Sequence, residues 1–278
     1  MKLDDKEQNE PWNYRGSTYY GSAQEYFSGQ PGEPPKGVRA DRKTVFFCLL
    51  FLVLHEGLQL VPFVGRLMDM LPDTPYRGAL MQLLWYAAMS VPLVLIVRKF
   101  LARDIRHALS LKKSGRKYLG TAFVCVLVGN LAVNLLLSFL GDYLPDVGNM
   151  NQEAIDAIIG AGAVFAVPAV CIFAPVLEEL IFRVGLYGLL RGGAGAPKLR
   201  VVLAVAVSAV LFCLYHVWFY AIATGQPLYL LYGLQYLAAS VGLAVLYEKS
   251  GSIVLPMLLH AIINTISTVA GLSSNLRM

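Results

Sequence analysis

The sequence predicts an all-α, polytopic transmembrane helix bundle, and three observations carry that prediction. The chain is 56% hydrophobic and 15% charged with a mean hydropathy of +0.57, whereas soluble domains carry about 25% charged residues. Apolar runs of about 20 residues, the length that spans a bilayer, recur along the chain. Lysine and arginine gather between those runs, where they orient a chain in a membrane.

Residues 1–43 are polar, mix both charges with Gly, Pro and Tyr, and contain no apolar stretch of signal-peptide type. They are expected to form a disordered cytoplasmic tail without a cleavable leader. Apolar runs follow near 44–64, 79–97, 118–140, 160–190, 201–222, 228–247 and 252–271. That makes seven crossings, or eight if the long fourth run, which contains Pro168 and Pro175, splits into two helical pieces. The expected organisation is the tail, then N-terminal helices over 44–157 with a basic cytoplasmic loop at 98–117, then a C-terminal core over 158–275.

Orientation follows from the basic residues. With the N-terminus inside, the inner segments hold fifteen Lys and Arg: Arg39, Arg42 and Lys43; eight between Arg98 and Lys117; Arg191, Lys198 and Arg200; and Lys249. The outer segments hold only Arg66, Arg77 and Arg277, and the 141–159 segment is acidic. The N-terminus is therefore expected in the cytoplasm. The net charge of +5 is explained by this asymmetry, so a nucleic-acid partner is not expected. Cys48, Cys125, Cys171 and Cys213 all lie in apolar runs without C-x-x-C spacing and read as small core residues, not as disulfide or zinc-thiolate groups.

Ionisable residues inside the runs demand an explanation, since a charge at mid-bilayer costs about 2.5 to 3.5 kcal/mol on insertion scales. In "APVLEELIFRVGLYGLL" (174–190), Arg183 follows Glu179 by four positions, which places the two on one helical face as an ion pair. Glu178 points about 100° away and remains unexplained by that pair. His216 stands in "LFCLYHVWF", and His260 and Asn264 share a face in "PMLLHAIINT". Counted from the cytoplasmic ends of their helices, Glu178, His216 and His260 lie at about 20, 24 and 16 Å, so they can meet in one layer, in a wet pocket beneath the cytosolic leaflet. A carboxylate with an imidazole can hold and deprotonate water, while a second imidazole and an amide can donate to a developing oxyanion. These are the parts of an amide-bond hydrolase. Cys171 and Cys213 lie near in sequence and stay open as alternative nucleophiles.

Taken together, Glu178-Glu179-x-x-x-Arg183, Phe212-x-x-x-His216 and His260-x-x-x-Asn264 resemble the CAAX-processing and bacteriocin-processing (CPBP, or Abi) family of intramembrane glutamic endopeptidases, also described as CAAX prenyl protease 2-like. The order and spacing match on successive helices over about residues 160–272, and nothing in residues 1–157 contributes. Val184 stands where that family often has glycine, with Gly185 one place later, a departure that concerns packing. The resemblance implies that Glu178 is the general base on the attacking water with help from His216, and that His260 and Asn264 stabilise the oxyanion. It implies that Glu179 with Arg183 holds the helix in register and that Phe212 packs beneath the site.

Glu178, His216 and His260 also match a catalytic zinc ligand set. The metal-free version is preferred, since no H-E-x-x-H is present and Asn264 suits an oxyanion hole. Two non-proteolytic readings stand beside the enzyme: an immunity or regulatory membrane protein that keeps the motif as a binding site, and a proton-coupled transporter. Inverted repeats would favour the transporter, and none is visible. The expected partners are the lipid bilayer and a peptide or membrane-protein substrate, and the expected location is a bacterial plasma membrane. His55-Glu56 in the first run forms an intramembrane acid–imidazole pair without an assigned task. Asn130 and Asn134 share a face and suit interhelical hydrogen bonds.

Overall fold

The structure, a computed structural model, describes residues 39–143, 148–193 and 195–275. Most of the expected disordered tail, and the terminal Arg277, lie outside the described residues. All regular structure among the described residues is helical. Six helices are long and apolar enough to cross a membrane, and a seventh crossing results if the bent pair at the N-terminal end counts as one span. The chain is thus a multi-pass integral membrane protein, and the seven-crossing expectation stands within that range.

Helix α1 (Arg42–Gln59) begins where Asp41 caps it, its carboxylate accepting from Thr44 N–H at 2.7 Å. It meets the short α2 (Phe63–Asp69) at a 67° bend. Helix α3 (Arg77–Ser110) is 34 residues long, or about 51 Å, well beyond a hydrocarbon core of about 30 Å. The basic segment expected as a loop at 98–117 is therefore helical: α3 runs through it to Ser110, and α4 (Lys112–Phe139) starts at once. Lysine, arginine, leucine and alanine are good helix formers, so once the chain leaves the membrane nothing in this composition ends the helix. The turn is made by Leu111 and by Lys112 at φ +46°, a left-handed conformation unusual for a residue with a Cβ.

The long fourth run forms a single composite helix, α5 (Met150–Arg191), 42 residues in all. It does not divide at Pro168 or Pro175. The break in helical backbone falls instead at Gly162, where a Cβ would lie 2.7 Å from that of Tyr76 and 3.0 Å from that of Ala79. Close packing of α5 on α3 thus requires glycine there. The prolines bracket a π-helical stretch, Ala169–Phe173, and a second one, Leu180–Tyr187, follows Glu179. In the first stretch Ala174 N–H bonds to the Ala169 carbonyl, five residues back. In that register Pro175 faces the Val170 carbonyl without an N–H to give, and the Asn264 side-chain amide supplies the bond at 2.9 Å.

Helix α6 (Lys198–Thr224) ends on Gly225 in a left-handed cap. A 3-10 segment (Pro227–Tyr236) leads into α7 (Leu237–Ser250), and α8 (Val254–Asn275) closes the described chain. The main core is built from α1, α3, α5 and α6 around Cys48, Leu93, Phe100, Leu177, Phe182 and Phe212. Gly185 fits this core closely: a Cβ there would stand 3.0 Å from Cys48 Cβ and 3.3 Å from Leu49 N. The outer face is strongly apolar, with Leu131, Phe139, Val164 and Ile222 all exposed, as a lipid-facing surface should be.

The two ends of the bundle differ. At one end, Arg191 on α5 pairs with Glu248 on α7 at 2.8 Å, with Tyr187 donating to the same carboxylate at 2.7 Å. Nearby, Asp104 on α3 accepts from Ser252 Oγ at 2.7 Å and from Val254 N–H at 3.1 Å, so it caps the start of α8. This end carries the basic residues. The other end contains the α1–α2 bend, the start of α5 and the α6–α7 connection.

Candidate active site

Glu178 and Glu179 lie between the two π stretches of α5, and both are buried. π turns inside α-helices frequently mark functional positions, and here they turn the adjacent carboxylates towards different partners. Glu179 is enclosed in protein. Its Oε2 lies 3.2 Å from Arg183 Nε, an ionic contact whose angle falls short of a hydrogen bond. Its Oε1 accepts from His260 Nδ1 at 3.0 Å. Arg183, fully buried, also donates to Ser208 Oγ at 3.4 Å and Ser240 Oγ at 3.3 Å, and its Cζ lies 4.8 Å from the centre of the Phe212 ring. The expected Glu179–Arg183 pair is present, and His260 is a third member that sequence spacing did not suggest.

Glu178 faces a cavity of about 530 Å³. Its Oε2 lies 3.9 Å from His216 Nε2 and 3.7 Å from His260 Nε2. The structure therefore brings together the three side chains that the depth count placed in one layer. Each ring is oriented from its far side. His216 Nδ1 lies 2.8 Å from the Phe212 carbonyl, one helical turn back, which can only accept. The proton on that nitrogen is thereby assigned, and Nε2 is turned to Glu178. His260 is held in the same sense by Glu179. Phe212 packs against both rings, with centroids 4.6 Å from His216 and 6.0 Å from His260. Tyr236 stacks on the other face of His216 at 4.1 Å.

Asn264 lines the cavity, with one amide N–H committed to the Val170 carbonyl. Its place is thus fixed by a backbone need that sequence could not show, and the second N–H of the same amide is the one left for chemistry.

Several participants lie outside the three motifs. Tyr86 on α3 donates to Glu178 Oε1 at 3.2 Å. Behind it runs a chain of bonds: Trp85 Nε1–H donates to His55 Nδ1 at 3.1 Å, and His55 Nε2 lies 2.9 Å from the Tyr215 hydroxyl. Tyr215 is in turn hydrogen-bonded to Tyr86. Because His55 Nδ1 accepts, the neutral ring carries its proton on Nε2 and donates it to Tyr215. Every link then points towards Glu178. His55, unassigned by sequence, is the buried middle of this chain, and the site draws on α1 and α3 as well as α5, α6 and α8. The histidine inside an apolar run and the crowding of tyrosines from Tyr215 onwards were the available signals, and Tyr86 gave none. Glu56 accepts instead from Trp218 Nε1 at 2.9 Å.

The cavity walls reach Gln59, Asn149 and Gln152, at the end of the bundle away from Arg191 and Glu248. Among the described residues, no group of three or more His, Cys, Asp and Glu side chains is arranged to hold a metal ion. Cys171 Sγ lies 3.6 Å from Thr268 Oγ1 and is buried.

Fold and site together define a multi-pass membrane protein with a buried carboxylate–imidazole centre facing a polar cavity. Residues 160–266 match the family described as type II CAAX prenyl endopeptidase Rce1-like, which is a protease family and agrees with the family the three motifs resemble. Neither the curated proteins nor the solved structures give a match.

Proposed function

We propose that the protein is an intramembrane endopeptidase that hydrolyses a peptide bond of a membrane-associated protein or peptide. The observation that carries this reading is the convergence of two imidazole Nε2 atoms, at 3.9 and 3.7 Å, on one buried carboxylate oxygen of Glu178. Such separations are too long for direct hydrogen bonds and suit a water molecule held between the acid and His216.

In this mechanism the water oxygen attacks the carbonyl carbon and its proton passes to the Glu178 carboxylate, with His216 accepting the second hydrogen bond. Tyr86 keeps Glu178 aimed. The oxyanion forms beside Asn264 and His260, which in this mechanism donates from Nε2 as the imidazolium while its Nδ1–H stays on Glu179. Collapse breaks the C–N bond, and the proton on Glu178 moves to the leaving amine, restoring the carboxylate. Glu179 and Arg183 hold His260 in place and supply the charge balance for the buried acids.

The alternative reading gives Glu178, His216 and His260 to zinc, which would supply Lewis-acid activation of water, but these side chains as placed are not arranged to hold an ion. The metal-free version is favoured because no H-E-x-x-H is present in the sequence and Asn264 suits an oxyanion hole. The proposal is tested by assaying the purified, reconstituted protein and its Glu178→Gln variant on membrane peptides from the host. Loss of cleavage with retained thermal stability is expected. A variant that keeps most activity removes the mechanism, and an unchanged cellular phenotype would favour the non-proteolytic immunity or regulatory role.

A further inference from the structure

A second pocket lies where α1 and α3 pass each other at the basic end of the bundle. It has a volume of about 360 Å³, and its walls include Lys43 and Phe47 of α1 and Leu95, Ile96, Lys99 and Arg103 of α3. The two helices run antiparallel there, since α1 begins at this end and α3 leaves the bundle through it. Side chains four positions apart share a helical face, so Leu95, Lys99 and Arg103 form one column, and Phe47 and Lys43 form a second on the other wall. Both columns change from apolar to basic in the same outward direction. The change falls where the two apolar runs end, at Thr44 and Val97, which is the level of lipid headgroups.

The positive charge in this pocket is uncompensated. Asp41, the one carboxylate among its described walls, is engaged by Thr44 N–H as the cap of α1. Among the described residues, Lys43, Lys99 and Arg103 have no ion pair, whereas Arg39 and Arg191 at the same end share Glu248. Arg103 Nε is buried without a hydrogen-bond partner, and an unmet N–H on a buried charged group is costly. A phosphate oxygen beside Arg103 and Lys99 would meet it with a charge-assisted bond. Leu95 and Ile96 are both exposed; a soluble anion would leave them bare, and an acyl chain would cover them. We propose that this pocket binds an anionic phospholipid, its phosphate held by Lys43, Lys99 and Arg103 and its chains lying along Phe47, Leu95 and Ile96. The pocket shares no wall with the Glu178 cavity, so the proposal stands apart from the endopeptidase reading.

Native mass spectrometry tests the site, with the full-length protein in a neutral detergent and phosphatidylglycerol, phosphatidylcholine or inorganic phosphate as the probe. One phosphatidylglycerol should be retained per chain in preference to phosphatidylcholine, and an excess of inorganic phosphate should not displace it. Lys99→Gln and Arg103→Gln should each weaken that retention about fivefold or more. Lys113→Gln and Arg116→Gln, at the same end but outside the pocket, should leave it unchanged. Thermal melts without lipid identify any variant that fails to fold, and the exposed Lys99 carries the test if Arg103→Gln does. Equal retention of the two lipids, displacement by phosphate, or the same loss with Lys113→Gln overturns the proposal.

Discussion

Glu179 and His260, 81 positions apart in sequence, meet at 3.0 Å through Oε1 and Nδ1 inside the bundle. One carboxylate thereby holds both the Arg183 guanidinium on its own helix and the imidazole that faces Glu178 from another. The adjacent glutamates divide the work: the first faces the cavity, and the second anchors what surrounds it.

That division predicts a split between two similar substitutions. Glu179→Gln leaves Arg183 buried without its counter-charge and should cost about 3 to 5 kcal/mol of stability. Glu178→Gln should leave the melting temperature in detergent nearly unchanged while eliminating cleavage. Equal destabilisation by both would contradict the assignment.

His260→Ala removes a donor to the oxyanion. The turnover number should fall by 10²–10³-fold, about 2.7 to 4 kcal/mol, with KM little altered. Asn264→Ala should lower both turnover and stability, because the Val170 carbonyl loses the partner that stands in for the N–H of Pro175. Steady-state kinetics alongside thermal melts separate the two variants.

Tyr86 and His55 act through Glu178 as positioning residues. Tyr86→Phe deletes one hydrogen bond to a carboxylate, for which about 1.5 to 3 kcal/mol is typical. Turnover should therefore drop roughly tenfold to a hundredfold, with KM and melting temperature close to wild type. His55→Phe should reproduce the turnover defect at a distance, and His55→Gln, which keeps a donor towards Tyr215, should recover part of it. A defect in KM alone would show that the chain shapes binding instead.

Metal dependence offers a sharp contrast. Exhaustive treatment of the purified enzyme with a chelator should leave cleavage intact if Glu178 and His216 activate water by themselves. Activity lost on chelation and restored by zinc would assign Glu178, His216 and His260 as ligands.

A close contact between α5 and α1 gives a paired test. Gly185→Ala forces a Cβ to within 3.0 Å of Cys48 Cβ and 3.3 Å of Leu49 N, and such overpacking costs about 1 to 3 kcal/mol. Gly188→Ala meets nothing nearer than 3.6 Å and should be neutral or slightly stabilising, since alanine is the better helix former. Denaturant titration in micelles reads both.

Sequence alone determined the helical membrane architecture, because about 20 apolar residues in a row have few other uses in water. It also determined the Glu179–Arg183 pair and the identity of Glu178, His216, His260 and Asn264 as the outlying polar groups, because charge inside lipid is costly enough to stand out in the sequence. Tertiary structure decided the rest. The helical form of the basic segment, the bend at Gly162 instead of at the prolines, and the hold of Glu179 on His260 all depend on neighbours distant in the chain. The Trp85–His55–Tyr215–Tyr86 chain was invisible for the same reason: a tyrosine in an apolar run looks like any other packed ring until a second helix brings its hydroxyl to a carboxylate.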